Sequence, residues 1–199
     1  MITIVSGSHR PDSQSLKVAE YFQKRLLAKS MESSIVDLSK LNLPLVMTAD
    51  SQLKEHQSSW ELISHKLISS FGYVIISPEW GGMATPAIKN FFLLPKKQEM
   101  AHKPGLIVGV SASHGGAYPV SELRSSSYKN SHICFIPEHI IVRDCQNVLN
   151  NEVFDSIQPD YYLKNRIDYS IGVLIEYAFA LNSVRTSGKI NHTTYPNGM

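Results

Sequence analysis

Cysteine is scarce in this chain. Cys134 and Cys145 are the only two among 199 residues, and they form no CxxC pair. A disulfide scaffold is thereby excluded, and the low usage fits a reducing compartment. A surplus of one charge is lacking too. Lysine and arginine total 19 and aspartate and glutamate total 17, a formal charge of +2. So small an excess points neither to nucleic acid nor to an anionic membrane as the main partner. No run of 18 or more apolar residues occurs, so no membrane-spanning helix is expected. The opening Met1-Ile2-Thr3-Ile4-Val5-Ser6-Gly7 has no basic n-region, and its apolar run is too short for a signal peptide. A cytoplasmic protein is the expectation. Internal repeats and low-complexity tracts are absent as well.

What is present suits a globular chain. Hydrophobic residues make up 43% and charged residues 18%, which rules out intrinsic disorder. The length fits one ordinary domain, expected over residues 1–199, able to bury roughly 70% of the surface its unfolded chain exposes. Short apolar runs alternate with longer amphipathic ones. Residues 2–6, 34–38, 73–77 and 106–110 read as strands, and residues 133–136 and 139–142 share a fifth strand region. The 73–77 run (Tyr-Val-Ile-Ile-Ser) has no polar alternation, as in a parallel strand covered on both faces.

Helices are predicted over residues 13–29, 52–71, 86–94, 117–127 and 160–184. The expected buried stripes are Leu16, Ala19, Phe22, Leu26 and Leu27 in the first, and Trp60, Ile63, Leu67 and Ile68 in the second. In the last helix they are Leu163, Ile167, Ile171, Leu174, Ala178 and Leu181. Strict βα alternation gives a parallel sheet with right-handed crossovers. Five strands in one small α/β domain suggest a flavodoxin-like three-layer sandwich of order 2-1-3-4-5 with helices on both faces. Ligands then bind beyond the carboxyl ends of strands 1, 3 and 4.

Three loops stand at that edge. The first, residues 6–15, carries Ser8, Arg10, Ser13, Gln14 and Ser15 where a helix begins. Free helix N–H groups, hydroxyls and a guanidinium fork suit a phosphate. The plainer reading makes Ser13 an N-cap and Arg10 a solvated side chain. The second loop runs Pro78-Glu79-Trp80-Gly81-Gly82-Met83. Its paired glycines allow close backbone approach to a flat ligand, or simply make a tight turn. The third carries Ser111, His114, Gly115 and Gly116, with His114 read as an exposed loop residue rather than a catalytic one. GxGxxG, GxxxxGK[ST] and GxSxG are all missing from these positions, which disfavours a Rossmann dinucleotide site, a P-loop and a hydrolase elbow. Together the three loops outline a site for a phosphate plus a planar ring, the shape of FMN.

These residues also carry a family likeness. The chain resembles the NADPH-dependent FMN reductase family of flavodoxin-like flavoproteins, which includes quinone, azo-dye and chromate reductases. Gly7-Ser8-His9-Arg10-Pro11-Asp12-Ser13-Gln14-Ser15 is similar to the family's GSxRxxSxN/S, and Leu43-Pro44-Leu45 to its LPL. Pro78-Glu79-Trp80-Gly81-Gly82-Met83, with Lys89-Asn90, resembles PEYN-G and a following LKN. Ser111-Ala112-Ser113-His114-Gly115-Gly116, with Leu123-Arg124, resembles SxGxxGG…LR. The likeness covers roughly residues 1–145, in order and at the usual spacing.

The resemblance implies that Ser8, Arg10, Ser13, Gln14 and Ser15 hold the FMN phosphate. It implies that Pro78, Glu79, Trp80, Gly81, Gly82 and Met83 border the isoalloxazine. It places Ser111, His114, Gly115 and Gly116 at the pyrimidine end. It further implies NADPH or NADH as hydride donor, a small-molecule electron acceptor such as a flavin or quinone, and a homodimer or homotetramer. No catalytic side chain and no metal ligand are expected. The chain departs from the family at Trp80 and Gly81, where tyrosine and asparagine are usual, and lacks an acidic residue after Lys89-Asn90. The tail Tyr195-Pro196-Asn197-Gly198-Met199 has no role in this reading. Two other classes stand beside the reductase: a flavodoxin-type electron carrier, disfavoured by the absence of net negative charge, and a flavin-binding regulatory protein without turnover.

Overall fold

The computed structural model describes residues 1–41, 43, 45 and 57–198. Its elements in chain order are β1 (Ile2–Ser6), α1 (Gln14–Leu27), β2 (Ser33–Asp37) and α2 (Gln57–Ser69). There follow β3 (Gly72–Trp80), β4 (Met83–Ala84), α3 (Pro86–Leu93), the short α4 (Lys97–Met100) and β5 (Pro104–Val110). The chain ends with α5 (Ala117–Ser126), β6 (Cys134–Val142) and the long α6 (Tyr161–Thr186). Five parallel strands lie in the order β2-β1-β3-β5-β6, which is the flavodoxin-like order 2-1-3-4-5 expected for the main strands. Pro44 of the Leu43-Pro44-Leu45 motif, the first five residues expected in the second helix and the terminal Met199 lie outside the described residues.

Alternate strand residues point to opposite faces, so each strand feeds two cores. Ile2, Ile4, Val74, Ile76, Leu106 and Val108 pack against Val18, Phe22 and Leu26 of α1 and Ile167, Ile171 and Leu174 of α6. Val5, Tyr73, Ile75 and Ile107 face the other way, onto Ile63 and Leu67 of α2, Ile88 and Phe91 of α3, and Leu123 of α5. Two stripe expectations are corrected. Leu27 and Ile68 are exposed, because each follows a buried leucine and is turned about 100° away from it around the helix. Val18 and Tyr21 take up the inward positions instead.

Two further differences bear on the edge of the sheet. β3 does not stop at residue 77 but continues to Trp80, pairing antiparallel with β4 through Trp80–Met83 and Glu79–Ala84. Gly81 and Gly82 form the two-residue turn, with φ of +57° and +76°. A hairpin turn with positive φ at both positions is the type I′ geometry that glycine pairs favour. The two apolar runs at residues 133–136 and 139–142 are one strand with a register shift between Gly105 and Ile107 of its neighbour. Among the described residues no helix is long and apolar enough to cross a membrane.

Candidate functional site

The first loop leaves β1 with Gly7 still in the sheet, its N–H donating to Ile76 O at 2.8 Å. Thr85, buried in front of α3, donates its hydroxyl to the Gly7 carbonyl and caps α3. Loop 1 is therefore bolted to the start of α3. Ser8 is buried and its Oγ accepts from the Arg10 N–H at 3.1 Å, which curls the loop. Ser13 caps α1, its Oγ accepting from Leu16 N at 3.1 Å. The N-cap reading of Ser13 is thus present in the structure. It does not exhaust the residue, since a hydroxyl that accepts one N–H still has its own proton to donate.

Ser15 is buried beneath the helix start. Gln14 has a buried Oε1 with no hydrogen-bond partner, and so has the Ser6 hydroxyl below it in β1. Unpaired buried polar atoms are costly, and two of those among the described residues belong to the end of β1 and the first turn of α1. Arg10 does not reach over that N-terminus. Its guanidinium stacks 4.3 Å above the Trp80 indole, and His9 meets the same ring edge-on at 4.3 Å. Loops 1 and 2 thus touch through one aromatic residue.

Loops 2 and 3 are joined by carboxylates. Glu79 points from β3 onto the N-terminus of α5, where its Oε2 accepts from Gly116 N at 2.6 Å and Tyr118 N at 3.3 Å. A carboxylate is well placed at the positive end of a helix. In return, Glu122 of α5 accepts from Ala84 N in β4 at 2.7 Å and pairs with Lys89 of α3 at 2.9 Å. The Ala84 N–H and Lys89 hold the Glu122 carboxyl below its ordinary pKa, although burial itself pushes the other way. Gly116 takes φ +100°, and a Cβ there would meet Ile141 at 2.7 Å, so this helix start admits only glycine. Ser111 Oγ accepts from Ser113 N at 3.2 Å, and Arg143 Nε donates to Gly115 O at 3.2 Å. His114 is exposed.

All three loops therefore meet at one edge, as the residue reading expects, and their internal ties assign the side chains more finely. Pro78 is buried within β3, and Gly81, Gly82 and Met83 are exposed along the hairpin turn. The Gly116 N–H, a natural donor to a ring carbonyl, is committed to Glu79. The Glu79 side chain is turned into the loop junction. Sequence reasoning missed Thr85, Glu122, His9 and Arg143. Thr85-Pro86 could have signalled the cap, since a hydroxyl residue before an N1 proline is a common helix start. The other three act through long-range contacts that carry no local pattern.

A planar ring with a phosphate tail fits these donors. The backbone N–H groups at the start of α1 and the hydroxyls of Ser8, Ser13 and Ser15 are the donors available to such a tail. The open hairpin turn, with nothing within 4 Å of a Cβ built on Gly82, leaves a flat approach beside it.

Comparison with known proteins agrees with this geometry. Residues 1–147 match the model of the family described as NADPH-dependent FMN reductase. The chain is 22% identical over 158 residues to an NADPH azoreductase of Bacillus sp. (strain OY1-2), covering 79% of this chain and 84% of that one. An oxidoreductase structure from Corynebacterium diphtheriae superposes with a TM-score of 0.66 at 18% identity, over 90% of this chain and 96% of that one. A flavoenzyme NAD(P)H:acceptor oxidoreductase from Paracoccus denitrificans gives 0.64 at 17% identity, over 90% and 97%. The chain belongs to the NADPH-dependent FMN reductase family of oxidoreductase enzymes.

Proposed function

We propose that this member of the family binds FMN at the edge formed by residues 6–15, 77–86 and 111–118, and passes hydride from NADPH or NADH to a small acceptor such as a flavin or quinone. The observation that carries the reading is the meeting of the three loops at the start of α1, through Arg10 and His9 on Trp80 and through Glu79 on Gly116. The whole of residues 1–199 acts as one FMN-binding domain in this reading. Homodimers or homotetramers complete it, supported by the exposed apolar side chains Ile157, Tyr162 and Phe179 that a second copy would cover.

When bound, FMN would supply the hydride-transfer chemistry between a nicotinamide and the acceptor. The residues of the chain position and enclose. Ser8, Ser13, Ser15 and the α1 backbone donate to the phosphate, and Gln14 orients the neighbouring chain of the ligand. Arg10 leaves Trp80 or reaches past it to add the charged fork. Glu79 fixes the distance between the hairpin and the start of α5, so that the two walls of the ring site hold their spacing. Ser111, His114 and Gly115 would line the far end of the ring, while the exposed Gly81, Gly82 and Met83 would leave one face open to the nicotinamide and then to the acceptor. One shared face implies ping-pong kinetics.

Titration of added FMN, followed by the quenching of its fluorescence, tests the site. Saturable quenching at one FMN per chain is expected. A protein that leaves FMN fluorescence unchanged would defeat the reading.

A further inference from the structure

At the opposite edge of the sheet, where β5 and β6 begin, three histidines converge. His102 lies in the turn between α4 and β5, His132 stands just before β6, and His192 is carried by the tail beyond α6. Each offers a ring nitrogen, and these nitrogens lie within 4.8 Å of one another. The ring centroids are 4.8 to 5.7 Å apart, and all three residues are half-buried. No carboxylate belongs to this group among the described residues.

We propose that this cluster is a binding site for a zinc-type divalent cation, held by the imidazoles of His102, His132 and His192, which clips the C-terminal tail to the body of the protein.

Four observations carry the proposal. Imidazole nitrogen is a preferred ligand of zinc, and three such ligands plus water complete a tetrahedral shell. Zinc–nitrogen bonds near 2.0–2.1 Å place tetrahedral ligand atoms about 3.4 Å apart, so the widest pair closes by roughly 1.4 Å. Side-chain rotation and the tail that bears His192 supply that movement.

The backbone is shaped for this convergence. His102 and His132 both adopt left-handed φ, +55° and +54°, and the His102 N–H donates to His132 O at 2.8 Å. Two non-glycine residues held side by side in that sparsely populated region show that the fold fixes both turns here.

Arg185 donates to the His102 carbonyl at 3.0 Å, which steadies the turn from α6.

Finally, the tail is already laid across the site. Gly198 N donates to Lys129 O at 3.2 Å, and the Pro196 carbonyl lies 3.4 Å from the His132 ring. The adjoining cavity, lined in part by Tyr128, Lys129 and Cys134, gives a water ligand access to the fourth position.

The test uses the full-length protein, stripped with a chelator and titrated with zinc chloride alone by calorimetry. One zinc per chain is expected, with affinity falling roughly tenfold or more in His192→Ala, as loss of a direct ligand demands. His192 sits on the surface tail, so this variant folds, and its thermal midpoint without metal should match that of the unaltered chain. Hydrogen exchange of residues 188–198 supplies a second readout. Zinc should slow exchange there in the unaltered protein and leave it unchanged in His192→Ala. Absence of saturable binding overturns the proposal. So does binding of equal strength in the variant, or binding that leaves exchange in the tail unaltered.

Discussion

Arg10 holds two readings in one side chain. It stacks on Trp80 in the structure, and it stands at the mouth of the loop that serves the phosphate in the proposed complex. A guanidinium–indole contact at an exposed site contributes on the order of 0.5–1 kcal/mol. A hydrogen bond to a charged phosphate contributes about 1.5–3 kcal/mol, so the phosphate wins when both are offered. Arg10→Ala should weaken FMN by about 1.5–3 kcal/mol and leave riboflavin, which has no phosphate, nearly unaffected. Parallel titrations of the two flavins check this, and an equal loss for both would remove Arg10 from the phosphate. Glu79 is the matching test between loops 2 and 3. Glu79→Ala leaves the Gly116 N–H without its partner and should lower stability by about 1.5–3 kcal/mol in urea unfolding. Glu79→Gln keeps an acceptor and should recover most of that loss. FMN affinity should follow the same order if the carboxylate sets the spacing of the two walls.

The elements divide by how local their causes are. β1, β3 and β5 were legible because their apolar runs are continuous and end at small residues, the mark of strands covered on both faces. The α1 start was legible from Ser13, which caps it as its type suggests. The β3–β4 hairpin was not, because Gly81-Gly82 serves equally as a turn or as a ligand-facing loop and β4 has only two residues. The ends of the loops became site residues in the sequence reading. Glu122 and Thr85, which help tie those loops together, did not, and although Glu79 did, its tie to Gly116 was not legible, since these contacts act across 38 residues for Glu122–Ala84, 37 for Glu79–Gly116 and 78 for Thr85–Gly7.

The segment between β6 and α6 shows the same limit. Lys164 is fully buried, paired with Asp160 at 3.0 Å and donating to Asn151 Oδ1, Val153 O and Gln158 Oε1. Asp160 in turn accepts from Leu149 N at 2.8 Å. Nothing in the helical pattern distinguishes this lysine from a surface one. Lys164→Met would strand the buried Asp160 charge and should cost about 3–5 kcal/mol, read as a lowered urea midpoint. A loss below 1 kcal/mol would show that the network is replaced by water at little cost.

In the proposed reading the two edges of the parallel sheet serve different ends. The N-termini of α1 and α5 stand at the carboxyl edge, where helices that follow parallel strands begin. Partial positive charge, free N–H groups and glycine turns therefore collect there, which fits the proposed flavin site. The amino edge receives the turns before β5 and β6 and the chain terminus, and there the histidines meet. Anaerobic addition of NADPH, and separately NADH, to the FMN-loaded protein measures the central claim most directly. Bleaching of the oxidised flavin band by at least one of the two nucleotides is the predicted result. Bleaching by dithionite while both nucleotides leave the band intact would contradict it.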